Sequence, residues 1–297
     1  MKAPTGNLCG RHGPAASGSC CSALAAAPVI VTSPTSRCGT TLVQRLLSAS
    51  DNAFIYGEEI GHQINILTGW FTGQLRFLER TGQAMDAEFD QALAGKLTDW
   101  RPGLMPPSSV MLKAWIETYY QMPVTLMHHA QSIGRPIWGF KRPTFSRESL
   151  RGFLSFMPQA RVIYVFRNPF DVLKSAKARK FVNTSREVAA FCAEWAKNMN
   201  EVAELAHDDR LLFVKYESLM EQREDHVRLI ELFTGAQNID ARVFDLKLNT
   251  YKGDAADGHA PDQYIQPAKL TKSDRAAVLD EAGAVIERLY GSTALAA

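Results

Sequence analysis

The chain has 297 residues, 46% hydrophobic and 22% charged, with a formal net charge of +2. That balance fits an ordinary globular protein with one large core or two small ones. It gives no general attraction to nucleic acid or membrane, so any anion site must be local. The five cysteines, Cys9, Cys20, Cys21, Cys38 and Cys192, show no paired metal spacing. Their odd number suits a reducing compartment better than a disulfide framework. No stretch reaches the roughly 18 apolar residues that a membrane span needs. The expectations are therefore a cytoplasmic protein with no metal, no nucleic-acid partner and no membrane partner.

Residues 1–27 are rich in Gly, Ala, Ser and Pro and read as a disordered tail. A single domain is expected over 28–297. It opens on Pro28–Ser48, which reads as strand, polar loop and helix. Val29, Ile30 and Val31 form a short apolar run suited to a buried parallel strand. Ser33 to Gly39 supply turn residues, and Leu42, Val43, Leu46 and Leu47 recur at helical spacing. Thr40 and Thr41 fall on the first helical turn, where free N–H groups and the dipole suit a phosphate. Arg37 adds a cation. This is not the triphosphate-binding loop, because Gly39 is followed by Thr40 and not by Lys. An ordinary strand-to-helix turn reads the same way.

Asp51–Gly61 carries the adjacent carboxylates Glu58 and Glu59, which also suit a helix start. Helices are expected over 62–80, 84–100 and 110–132, with a Pro-rich break at 101–109 and no strand among them. That region reads as a helical cap beside the sheet. Strands follow at Pro136–Lys141, Arg161–Phe166 and Leu211–Lys215, the middle one densest in β-branched and aromatic residues. Helices are expected over 145–157, from Pro169 onward, and over 185–206, 226–233 and 273–290, the last with Ser273 as its N-cap. Lys174, Lys177, Arg179 and Lys180 make the most basic segment, which reads equally as a solvated helix face. Strands alternating with helices give an α/β fold with a parallel sheet covered on both faces.

Two strand-to-helix junctions carry anion-binding groups, Arg37–Thr41 and Arg167–Ser175. In such a sheet ligands bind beyond the carboxyl ends of the strands, so one ligand with two anionic groups would satisfy both. The clearest strand ends in Arg167 and not in an aspartate that could hold magnesium. Protein cations then stabilise the developing charge.

These residues resemble the sulfotransferases that use 3′-phosphoadenosine 5′-phosphosulfate (PAPS). R-C-G-T-T is similar to that family's 5′-phosphosulfate loop. R-N-P-F-D-V-L-K-S is similar to its 3′-phosphate motif, an arginine with a serine eight residues on. Within the family the G-E-E and Y-E-S-L stretches look like the tyrosylprotein branch. The resemblance implies a P-loop-type sheet with a helical insertion capping the acceptor site. It implies Arg37, Cys38, Gly39, Thr40, Thr41, Arg167, Ser175 and Tyr216 as nucleotide-binding residues. Tyr216 would face the adenine. Glu59 becomes the base, with Glu58 in reserve, and Arg37 and Lys141 the charge stabilisers. Cys38 reads as a small loop filler. Lys252 and Gly253 resemble a K-G element that contacts the 3′-phosphate in cytosolic members, whereas Gln266 stands where the tyrosylprotein branch has lysine. The acceptor is a hydroxyl of a peptide tyrosine, a small phenol or a glycan, and a homodimer is compatible with the pattern. Two alternatives stay open: a P-loop kinase of a small molecule using ATP, and a nucleotide-binding module with no activity.

Overall fold

A computed structural model describes residues 27–96, 104–246, 248 and 266–296. The expected tail, Lys252 and Gly253 lie outside the described residues, apart from Ala27.

Five strands form one sheet: β1 (Val29–Thr32), β2 (Ala53–Tyr56), β3 (Ile137–Lys141), β4 (Arg161–Phe166) and β5 (Leu211–Lys215). Their order is β2-β3-β1-β4-β5, and every pairing is parallel. Side chains alternate across the sheet, as the two-residue strand period requires. Val29 and Val31 join one apolar layer with Ile163 and Val165, while Ile30 joins the other with Val162 and Tyr164. The fold is therefore a mixed α/β sheet with a core on each face.

Helix α1 (Thr40–Ser48) packs on one face, with Leu42, Val43, Leu46 and Leu47 buried as their spacing predicts. On the other face lie the long helix α2 (Glu58–Leu93), α3 (Ser108–Ser132) and α4 (Arg147–Phe156), followed by α5 (Pro169–Ala178) and α6 (Ser185–Ala203). The short α7 (Tyr216–Glu221), α8 (Arg223–Thr234) and the C-terminal α9 (Lys272–Tyr290) complete the flanks. At the central pair β1–β3, Gly139 faces Val29, and a Cβ there would run into the Val29 backbone. That close approach admits only glycine.

Several expectations change. The sheet has an edge strand, β2, that the sequence reading placed among helices and loops. Its four residues, A-F-I-Y, are too short to declare a period. The expected helices at 62–80 and 84–100 merge into one continuous helix of 36 residues that ends at Leu93, and 97–100 lie outside the described residues. Gly82 does not break it, because it lies buried against Ser108 at the start of α3. Asp86, one turn on, accepts the Ser108 backbone N–H at 2.6 Å and its hydroxyl at 2.8 Å, so α2 caps α3. The N-cap of α9 is Thr271 and not Ser273. Thr271 and Asp274 form a reciprocal capping box.

All five strands end on the same side, at Thr32, Tyr56, Lys141, Phe166 and Lys215. Among the described residues no helix is long and apolar enough to cross a membrane.

Candidate active site

Beyond those strand ends lies a cavity of about 640 Å³, lined in part by Arg37, Gly39, Thr40, Thr41, Glu58, Arg167, Ser175 and Tyr216. A second cavity of about 230 Å³ adjoins it, lined by Arg37, Arg167, Lys174, Ser175 and Arg179 with Asp171, Ala178 and Pro267. Four cations and one carboxylate thus surround the smaller space, which suits a compact anion.

The first junction is set by backbone geometry. Arg37 sits at φ 73° and Gly39 at φ 104°, both in the left-handed region. For Arg37 that conformation carries strain, which clusters at functional sites. Gly39 is required twice over, by its φ and because a Cβ would overlap the Tyr216 ring. The turn delivers Thr40 and Thr41 to the start of α1, which no side chain caps. Its first N–H groups therefore face the cavity without a competing acceptor from the cap.

The second junction is set by side chains. Asn168 caps α5 by accepting the Phe170 N–H at 3.0 Å, and Pro169 takes the first helical position. The Arg167 guanidinium lies over the Tyr216 ring, 4.5 Å from its centroid. Its Nε is buried with no hydrogen-bond partner among the described residues. An orphaned buried donor of this kind marks a place for an acceptor. The junctions meet where Arg37 Nε donates to Ser175 Oγ at 3.0 Å.

Lys141 leaves the end of β3 with its side chain only 8% exposed. Its ammonium donates to Thr41 Oγ1 at 3.1 Å and to Glu58 Oε1 at 2.5 Å. The structure thus brings Arg37, Gly39, Thr40, Thr41, Lys141, Arg167, Ser175 and Tyr216 to one place. Both carboxylates are exposed, but Glu58 lines the cavity and Glu59, on the same helical turn, does not. The Cys38 side chain is fully buried beside Thr35 and lines neither cavity. Burial pushes its thiol up to about 11 and outweighs the lowering expected from the nearby helix start.

Among the contributors to the walls that sequence reasoning missed are Arg179, Phe181 and Phe244. Arg179 lines both cavities. It stands four residues after Ser175, on the same helix face, so the i,i+4 spacing was the available signal. Phe181 and Phe244 also line the larger cavity. No local pattern announces them, since they arrive through tertiary packing. Among the described residues there is no group of three or more His, Cys, Asp or Glu that could hold a metal.

A family model described as the sulfotransferase family matches residues 28–240, and the chain belongs to that family. No curated protein matches the chain. Among solved structures it is similar to the sulfotransferase domain from the Synechococcus PCC 7002 olefin synthase. That match has 19% identity and a TM-score of 0.45, and covers 86% of this chain and 94% of that one. A sulfotransferase from Alicyclobacillus acidocaldarius matches at 13% identity and TM-score 0.45, covering 89% and 96%. A retinol dehydratase solved with retinol and PAP matches at 15% identity and TM-score 0.35, covering 73% and 62%.

Proposed function

We propose that this protein transfers a sulfuryl group from PAPS to a hydroxyl acceptor, with a tyrosine or another phenol favoured over a sugar. The observation that carries the nucleotide reading is the pairing of two anion-binding strand ends through Arg37 and Ser175. The residues fit the nucleotide on two counts. Arg167, at the second junction, keeps a buried Nε with no hydrogen-bond partner among the described residues. Gly39 keeps the first loop clear of the Tyr216 ring, which a Cβ would fill.

When bound, PAPS supplies the activated sulfuryl group. Thr40, Thr41 and the uncapped start of α1 hold its 5′-phosphate end. Arg167, Ser175 and Arg179 hold the 3′-phosphate, a group that guanidinium geometry suits. Tyr216 offers its ring to the base. Arg37 and Lys141 place positive charge where negative charge grows as the acceptor oxygen–sulfur bond forms and the sulfur–phosphate oxygen bond breaks. The acceptor proton passes to the Glu58–Glu59 pair. Glu58 is the member on the cavity wall, and Glu59 is the member that the family resemblance singles out. A phenol, with pKa about 10, releases its proton to a carboxylate far more readily than an alkyl alcohol does. The preference for tyrosine rests on this chemistry and on the G-E-E and Y-E-S-L stretches.

The test is product mass after incubation with PAPS, without magnesium, on a tyrosine peptide, 4-nitrophenol and a simple sugar. An 80-dalton gain on a phenolic acceptor is expected (~80, the mass of the group transferred to the hydroxyl). Glu58→Gln and Glu59→Gln, assayed separately, identify the base by which one abolishes turnover while nucleotide binding survives. Transfer from ATP with magnesium, and none from PAPS, would overturn the proposal.

A further inference from the structure

The Y-E-S-L stretch contains a second polar residue to which the reaction gives no part. Glu217 follows Tyr216 at the start of α7, and both its oxygens are engaged. Oε1 accepts the backbone N–H of Asn168 at 2.8 Å, and Oε2 accepts the Tyr290 hydroxyl at 3.4 Å. Asn168 is the residue immediately after Arg167. One carboxylate therefore ties the end of β5 to the turn that aims Arg167, while Tyr216 lies beneath that same guanidinium.

The choice of donors matters. A carboxylate paired directly with Arg167 would offset the charge that an anion needs. Glu217 takes two neutral donors, and Arg167 Nε stays without a hydrogen-bond partner among the described residues. The turn is fixed and the guanidinium's charge is left for a ligand.

Tyr290 is the last residue of α9, 50 residues beyond the stretch matched by the family model (290 − 240). Its ring lies between two strand ends. Lys215 Nζ sits 4.2 Å from the ring centroid, and Phe166 meets it edge-on at 6.3 Å. Burial first, then the Glu217 carboxylate, push the Tyr290 phenol above its usual range, so the hydroxyl remains a donor. The helix itself is pinned to α5, the helix that carries Ser175. Lys177 Nζ donates to both Asp274 oxygens, at 2.7 and 2.6 Å. The chain just before α9 is tied to the same helix, where the Ala268 N–H donates to the Lys174 carbonyl at 3.1 Å.

We propose that Glu217 and Tyr290 are positioning residues that hold the Arg167–Asn168 turn, making the C-terminal helix part of the apparatus that selects a 3′-phosphorylated nucleotide. The assignment rests on the sulfotransferase reading of the cavity. It predicts a loss confined to ligands that carry a 3′-phosphate, which a general loss of stability would not produce.

The experiment compares calorimetric binding of adenosine 3′,5′-bisphosphate and adenosine 5′-monophosphate by the full chain. Glu217→Ala should weaken the bisphosphate about thirtyfold and the monophosphate less than about threefold, the size of a lost hydrogen bond to a charged group. Glu217→Gln, which keeps an acceptor oxygen, should restore binding to within about fivefold of wild type. Tyr290→Phe, which removes one hydroxyl, should weaken the bisphosphate by about fivefold. Equal losses for both nucleotides, or no loss, would overturn the assignment. A second readout needs no ligand: hydrogen exchange at the Asn168 amide of the nucleotide-free protein should speed up in Glu217→Ala. Unchanged exchange there also overturns the assignment. A wild type that binds no bisphosphate instead overturns the functional reading on which it rests.

Discussion

The two strand-to-helix junctions reach the same cavity by opposite means. At the first, α1 begins without a side-chain cap, after a turn that holds Arg37 and Gly39 at positive φ. At the second, α5 begins with Asn168 as its cap and Pro169 in the first turn. An uncapped helix start offers backbone N–H groups, which are rigid and aimed. A capped start has already used one of those groups, so under the proposed function the anion would be held by side chains, Arg167, Ser175 and Arg179, which line the smaller cavity. Rigid donors beside Lys141 suit charge that appears only in the transition state, whereas arginine side chains suit recognition of a fixed phosphate. Lesions at the first junction should therefore appear in kcat, and lesions at the second in nucleotide affinity.

The sharpest way to break that division is Lys141→Met. Lys141 bonds Thr41 of the first junction and Glu58 at the cavity wall. Its loss should lower kcat on the order of a hundred- to a thousandfold, with a much smaller change in bisphosphate affinity. Steady-state kinetics set beside calorimetry checks this. A loss mainly in affinity would merge the two junctions into one.

Asp274→Asn attacks the support of the second junction. Asp274 is 5% exposed; both its oxygens accept from Lys177 on α5, and Oδ2 also accepts the Thr271 N–H at 2.9 Å. Breaking a largely buried pair leaves the Lys177 charge uncompensated and should cost about 2–3 kcal/mol in denaturant unfolding. Burial alone would raise the Asp274 carboxyl, but Lys177 and the Thr271 donors outweigh it and hold it below its usual range. Its folded pKa lies below the unfolded value of 3.8. The stabilisation is thus complete above that value and is lost as pH falls through the folded pKa. Acid titration of stability should show a step in the wild type that Asp274→Asn lacks.

Gly39→Ala strains the first junction and presses on the Tyr216 ring that lies beneath Arg167. A Cβ at φ 104° would overlap the Tyr216 ring, so stability should fall by about 1–3 kcal/mol. Thermal unfolding measures it, and an unchanged transition would mean that the loop conformation is not the one described. The smallest effect concerns Cys38. With its thiol pushed up to about 11 and its side chain fully buried, iodoacetamide at pH 8 should leave it unmodified in the folded protein. Mass mapping checks this, and rapid labelling would show an open loop.

Much of this plan was legible before any coordinates. The strand Arg161–Phe166 is bounded as read, because a dense β-branched and aromatic run ends abruptly at Asn168 and Pro169. The two strand-to-helix loops were legible for the same reason: short turn-forming residues fall between an apolar run and a helical period. What local pattern could not give was depth. Glu58 and Glu59 are neighbours, yet successive helical residues point about 100° apart, so only coordinates reveal which one lines the cavity. Arg179 reads as one more surface cation until α5 is seen to lie along the smaller cavity. The edge strand β2 was hidden by its brevity, and the seam at Gly82 by a helix that buries the glycine and does not stop at it.

The most direct test of the central claim is calorimetric titration of adenosine 3′,5′-bisphosphate, without metal, into the wild type and Arg167→Ala. Tight metal-free binding that Arg167→Ala weakens by about a hundredfold is the predicted result, the size of a buried charge-assisted contact. Absence of binding by the wild type, or equal binding by both proteins, would contradict the account.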